Sequence, residues 1–396
     1  MILFFTLSIL LLIYVRNDKR AFSFILIAYL LGIIVYVFKL TEFTFGTIEY
    51  LISDEAGYFY QKNYSFQLTK SDRLIWYAIN YFENHYDIAG IIGIKFINIP
   101  ITIMGLIWLG KIFEGKIRYI NFIIYIPYLL ILMTMNLRDM LIITAAIGFV
   151  YYLQYPRLRN LMYMLFLLLV VFYLRPVMAF IIILITVVVL FFLQKGKKNV
   201  LSKRKLYRII FILILLSASY FLLQTKINNT IVRYIVYVEY NFYNKKKYNE
   251  RVKQKDVEKL ASSNNLIVNA FYGSLRYIGA PIPTSLLLRI LKGGGKFGIT
   301  DDIIRMINQL FYYYFLIYIS INLRTFKKII KYLSIPQIII LLWLLSYLFV
   351  YSFLAFGGTH QRTKIPFQLF IYLIFALIVH FKKYENYSFR KNKSHI

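Results

Sequence analysis

Residues 177–194 read VMAFIIILITVVVLFFLQ, a run without a single charged side chain. A helix in a water-soluble protein keeps a polar face, because only one side of it is buried. This run is apolar on every side, and its length approaches the ~20 residues that carry a helix across a bilayer. Working outward, Arg175 and Pro176 stand before it, and Lys195, Lys197 and Lys198 follow it. The same pattern of apolar run and basic boundary recurs along the chain. Of the 396 residues 60% are hydrophobic, 19% aromatic and only 16% charged, so the fold class expected is an all-α polytopic membrane protein, one integral membrane domain over 1–396.

The basic clusters order the runs. Arg16, Lys19 and Arg20 follow the first; Lys111, Lys116 and Arg118 the third; Arg157 and Arg159 the fifth. Lys203, Arg204, Lys205 and Arg208 extend the cluster after the seventh, Arg324, Lys327, Lys328 and Lys331 follow the ninth, and Lys382 and Lys383 the last. Each cluster falls after an odd-numbered run, so the positive-inside rule places them all in the cytoplasm if the N-terminus is outside. The pattern predicts about eleven helices, near 2–15, 21–40, 90–110, 119–136, 139–154, 160–174, 177–194, 208–223, 306–322, 336–355 and 366–381. The first run resembles a secretory signal, but no small-residue cleavage site follows, and it is read as a membrane helix. Two long connections, 41–89 and 224–305, then lie outside, the second expected to hold short, partly interfacial helices.

The net charge of +30 would suggest nucleic acid in a soluble protein; among membrane helices it is read as orientation and attraction to anionic lipid, and no nucleic-acid partner is expected. The absence of cysteine excludes disulfides, thiolate metal sites and cysteine nucleophiles. KGGGKFG (292–298) lacks the GK[ST] ending of a phosphate loop and is read as a flexible connection. Asp301–Asp302 offers two carboxylates to a divalent cation, but the favoured reading is a helix N-cap; no cofactor and no metal ligand set is expected. His85, His380 and His395 have no ligand-spaced partners.

This topology collects the unusual polar residues on one side. Asp54 and Glu55 stand in SDEAGYF (53–59), Arg138 and Asp139 in MNLRDML (135–141), Arg175 in YLRPVMAF (173–180), Arg276 and Arg289 around APIPTS, and His360, Arg362 and Lys364 in GGTHQRTKIP (357–366). Each has a plain reading as a loop residue, a helix cap or a snorkelling cation, and Ser53 with the acid pair could simply open a short helix. As a set they have a chemical sense. An outward carboxylate, Asp54 or Glu55, can deprotonate an acceptor hydroxyl, and arginines can grip a pyrophosphate bidentately as charge develops on it. Which of the two acids would act is left open by the sequence.

An early acidic motif, LRD opening one helix, LRP opening another, a large loop with GAPIP and a closing HQR-x-x-x-P together resemble bacterial O-antigen and capsule repeat-unit polymerases (Wzy-type) and the related GT-C glycosyltransferases. The resemblance implies a multi-pass enzyme of the bacterial cytoplasmic membrane that acts on undecaprenyl-linked oligosaccharide at the outer face, alongside other polysaccharide-assembly membrane proteins. It implies Asp54 or Glu55 as the base or acceptor-positioning acid, and Arg175, Arg276 and Arg362 as groups for the lipid pyrophosphate and glycan. Arg138, Asp139 and His360 complete the candidate substrate set. One departure stands: in GT-C enzymes the acidic motif usually follows the first helix, here the second. The alternatives are a GT-C transferase adding one sugar from a polyprenyl-phosphate donor, and a flippase for the same lipid-linked sugar.

Overall fold

The computed structural model describes residues 2–44, 76, 78–82, 91–113, 116–155, 157–194, 266–294, 298–352 and 361–393. Asp54, Glu55 and His360, most of the loop 41–89, and the helix expected at 208–223 lie outside the described residues. Among the described residues the chain is helical, with no β-strand. The elements are α1 (Ile2–Val15), α2 (Lys19–Thr44), α3 (Ile91–Ile112), α4 (Tyr119–Tyr125), α5 (Tyr128–Met133), α6 (Asp139–Leu153), α7 (Leu158–Leu174), α8 (Pro176–Gln194), α9 (Leu266–Gly279), α10 (Pro283–Leu291), α11 (Ile299–Ile321), α12 (Leu323–Ile330), α13 (Ile335–Tyr351) and α14 (Gln361–Lys393).

Three segments, Lys19–Glu42, Ile92–Ile112 and Arg362–Lys383, are long and apolar enough to cross a membrane. Shorter apolar helices stand beside them: α1, α6, α7, α8 and α13. The surface has the polarity of a protein solvated by lipid. Phe5, Ile9, Leu10, Leu30, Phe38, Phe166, Leu184 and Ile317 are exposed, while Asn98, Asn136, Asp301, Asn308, Gln309, Lys364 and Gln368 are buried. Water would penalise the first set, whereas hydrocarbon penalises unpaired polar groups and drives them inward to find partners.

Small residues bring α3 and α6 close together. A Cβ on Gly105 of α3 would stand 2.5 Å from the Thr144 hydroxyl of α6, and one on Gly148 of α6 would stand 2.5 Å from the Trp108 ring. Only glycine lets the two backbones approach so closely. The Thr144 hydroxyl then donates to the Ile101 carbonyl across the interface at 2.9 Å. Asn98 adds a second tie, its amide donating to the carbonyls of Met135 and Leu137 at 2.6 and 2.8 Å.

Several expected boundaries are corrected. The helix expected over 119–136 is two helices, because Pro127 has no N–H and pushes Ile126 to φ −130°, ψ 64°, away from the helical region. The ninth helix starts at Ile299 rather than near 306, so Asp301 and Asp302 lie inside its first turn, and the N-cap is Gly298. The N-cap reading of the two aspartates therefore fails. The basic stretch after α11 is itself a helix, α12, carrying Arg324, Lys327 and Lys328. The last helix runs from Gln361 to Lys393, well beyond the expected 366–381. Within 224–305 two short helices do form, α9 and α10.

Contacts between helix ends divide the bundle into two ends. At one end Lys111 of α3 donates to the Tyr14 hydroxyl of α1 at 3.3 Å, Gln337 of α13 donates to the Ile112 carbonyl at 2.9 Å, and Tyr119 donates to Asp18 at 3.4 Å. Asp18 also accepts from the Ala21 N–H at 3.0 Å and so caps the start of α2. This is the end where the basic clusters at 16–20, 111–118 and 382–383 sit.

Candidate functional site

The opposite end gathers ionisable and aromatic side chains from eight helices, α2, α5, α6, α9, α10, α11, α13 and α14, and from the end of α7. Asp139, the first residue of α6, pairs with Arg175 at 3.3 Å, with only 12% and 22% of the two side chains exposed. Arg175 occupies the C-cap of α7, directly before the Pro176 that opens α8, so the LRP motif holds its backbone between two helices. Its guanidinium also donates to the Tyr351 hydroxyl at the end of α13 and lies over that ring, 5.4 Å from its centre. Arg138 is used differently. It donates to the Leu174 carbonyl at 2.8 Å, satisfying one of the orphan acceptors at the end of α7.

Tyr351 is one of three nearly parallel tyrosines. Tyr347 stacks on it at 5.7 Å and 18°, and Tyr277 of α9 at 6.4 Å and 13°. Tyr277 then donates to the Thr363 carbonyl at 2.7 Å, which brings α9 to the start of α14. Arg276 is its neighbour in the last turn of α9. One residue beyond Thr363, the ammonium of Lys364 is wholly buried, donates to the Ile278 and Ala280 carbonyls at 2.8 and 2.6 Å, and sits 4.4 Å above the Tyr312 ring. Those carbonyls belong to the end of α9 and the bend that follows, where a cis Ala280–Pro281 bond turns the chain into α10.

Tyr312 leads to a second charged group along α11. Asp301 and Arg305, one helical turn apart, pair at 2.6 Å with side chains 0% and 9% exposed. Arg305 also donates to the Tyr128 hydroxyl at 3.1 Å, and Asp302 faces Arg289 of α10 at 3.8 Å. Arg362 acts on Tyr128 electrostatically, and Lys39 and Arg289 act on Asp301, so four cations surround this part of the site. Glu42, near the end of α2, accepts from the Thr300 N–H at 2.6 Å, a carboxylate at the positive end of α11. Deeper in, Asn308 donates to Gln368 at 2.9 Å, and Gln368 donates to Gln309 at 3.4 Å, continuing the polar seam between α11 and α14.

The candidate residues thus meet with unequal fates. Asp139 and Arg175 come together directly, Arg362 joins the Asp301–Arg305 group, and Arg138 is spent on a helix end. Asp54, Glu55 and His360 fall outside the described residues. Sequence reasoning missed Arg305, Tyr128, Tyr277 and Tyr351. For Arg305 a signal was present: ITDDIIRM (299–306) places an arginine four residues after an aspartate, the spacing of a helical ion pair. For the tyrosines none was, since 37 tyrosines are spread along the chain. Among the described residues no group of three or more His, Asp or Glu side chains could hold a metal ion. No family model, no curated protein and no solved structure matches this chain.

Proposed function

We propose that the chain polymerises undecaprenyl-pyrophosphate-linked oligosaccharide repeat units of a capsule or O-antigen at the outer face of a bacterial cytoplasmic membrane. The observation that carries this reading is the convergence of Asp139–Arg175, Asp301–Arg305, Arg362 and Lys364 at one end of a lipid-solvated bundle. Ionisable groups are costly within a bilayer and are kept where a polar substrate meets them. A pyrophosphate leaving group offers several oxygens to guanidinium forks, and such contacts strengthen where water is excluded.

In this reading the acceptor sugar hydroxyl attacks the anomeric carbon of the lipid-linked donor, and the bond from that carbon to pyrophosphate oxygen breaks. Undecaprenyl pyrophosphate leaves. Arg175, 22% exposed in its pair with Asp139, and Arg362 take the charge that develops on it. Asp139 holds Arg175 in orientation, with Tyr351 as the second support. The stacked tyrosines Tyr277, Tyr347 and Tyr351 are buried against one another and back the Arg175 guanidinium through Tyr351. The hydroxyl proton goes to Asp54 or Glu55 from the loop 41–89.

Deletion of the gene tests the proposal. Single repeat units should accumulate on the lipid carrier while long chains vanish. Unchanged chain lengths overturn it. Loss of one sugar branch with long chains intact means a single-sugar transferase, and carrier-linked units stranded on the cytoplasmic face mean a flippase. Orientation is tested separately in this cysteine-free chain: single cysteines at Ser53, Thr230 and Gly358 should react with an impermeant thiol reagent from outside, and those at Ser202 and Ser388 should not.

A further inference from the structure

The basic end holds a cavity for which the proposed reaction has no use. It lies between α4 and α14 and measures about 630 Å³. Lys116, Arg118, His380 and Lys383 stand in its lining, and no carboxylate is among the described residues that line it. Lys116 and Lys383 both act electrostatically on His380, and all four side chains border the same cavity, with Arg118 and Lys383 exposed. Partial burial also lowers the pKa of the Lys116 ammonium, the mark of a charge held back from water. The rest of the wall is apolar, with Phe375, Ala376 and Val379 along α14.

Positive-inside bias alone explains why lysines collect at this end, but not why they border one half-open cavity. Like charges brought together repel, and the arrangement is relieved by an anion that accepts charge-assisted hydrogen bonds from several of them. The apolar wall continuing along a membrane-length helix distinguishes the occupant from a free ion, because it can cover an acyl chain attached to that anion. We propose that this cavity binds the phosphate headgroup of an anionic lipid, with Lys116, Arg118 and Lys383 holding the phosphate oxygens and the α14 wall covering the first part of the chain. The site is separate from the polar seam and does not depend on the reaction assigned there.

The test uses the full-length protein purified in detergent and challenged with phosphatidylglycerol and phosphatidylcholine at equal concentration, bound lipid being read by native mass spectrometry. Phosphatidylglycerol should be retained preferentially. The triple variant Lys116→Gln, Arg118→Gln, Lys383→Gln should lose about tenfold or more of that preference. The charge-keeping pair Lys116→Arg, Lys383→Arg should preserve it. The control Lys327→Gln, Lys328→Gln, Lys331→Gln removes the same charge from α12 and its end without touching the cavity lining, and should also preserve it. Equal retention of both lipids, an unchanged preference in the triple variant, or an equal loss in the α12 control overturns the site. Displacement of phosphatidylglycerol by inorganic phosphate at matching concentration assigns the cavity to a free ion and overturns the lipid proposal.

Discussion

At one end of the bundle Asp139 faces Arg175 at 3.3 Å and Asp301 faces Arg305 at 2.6 Å; at the other, Lys116, Arg118 and Lys383 meet around a cavity with no carboxylate among its described lining residues. The first end sets its buried acids against arginines, adds a tyrosine hydroxyl to Arg175 and to Arg305, and ends the buried Lys364 ammonium on two backbone carbonyls. The second leaves its charges to the surroundings. Both arrangements belong to a protein that lives in two dielectrics. Deep charges must find their partners within the fold, whether a counterion or backbone carbonyls, whereas charges at a membrane surface draw theirs from lipid and salt.

The sharpest way to break this comparison is at the pair most deeply buried. Asp301→Asn leaves Arg305 without its counterion inside the bundle, and thermal unfolding in detergent should show a loss of about 3–5 kcal/mol. A loss below about 1 kcal/mol, the range of exposed pairs, would mean that the group is solvated and that the two ends are alike. Arg175→Gln comes next. It removes a partly exposed charge with hydrogen-bonding capacity retained, so chain extension should fall by about 10²-fold while the protein still accumulates in the membrane. Full-length polysaccharide from this variant would confine Arg175 to a structural role.

Between the two ends the apolar contact of α3 and α6 offers a measure of packing alone. Gly148→Ala drives a methyl group into Trp108 and Leu167, with approaches of 2.5 and 2.9 Å to relieve, and should cost about 1–3 kcal/mol in the same unfolding measurement. The smallest effect belongs to the basic end. Lys327→Gln and Lys331→Gln, at exposed positions on and just after α12, should each change stability by less than about 0.5 kcal/mol. A larger change at either would show that the charges there are not left to the surroundings.

The sequence made the helical class legible because a run such as 177–194 is apolar all round, a pattern that burial by one neighbour cannot produce. It also marked Asp139 and Arg175, whose charges stand in turns with few other polar residues. It did not show that they pair with each other, since 36 positions separate them and the contact depends on how α6, α7 and α8 pack. The break at Pro127 was written in the residue itself but was overridden by the hydrophobicity around it. Asp301 and Asp302 were misplaced for a related reason: a polar Thr-Asp-Asp segment looks like a cap, yet Gly298 fills that position and the helix has already begun. Lys364 was visible only as one more basic residue before the last helix. Nothing local indicates that its ammonium ends on two carbonyls more than eighty positions earlier.

That lysine has a consequence for how the protein is made. Ile278 and Ala280 leave the ribosome long before Lys364, and Asn308 precedes its amide partner Gln368 by sixty positions. The contacts of α3 with α6, by contrast, join segments synthesised within the first 153 residues. Biosynthesis therefore separates two stages in time: an early apolar core that packs as soon as it is inserted, and a polar half whose carbonyls and amides wait for the final helix. During that interval a translocon wall, a chaperone or lipid headgroups must shield the waiting groups, and a chain stalled before Gln361 would present quality-control proteases with an unclosed polar cleft.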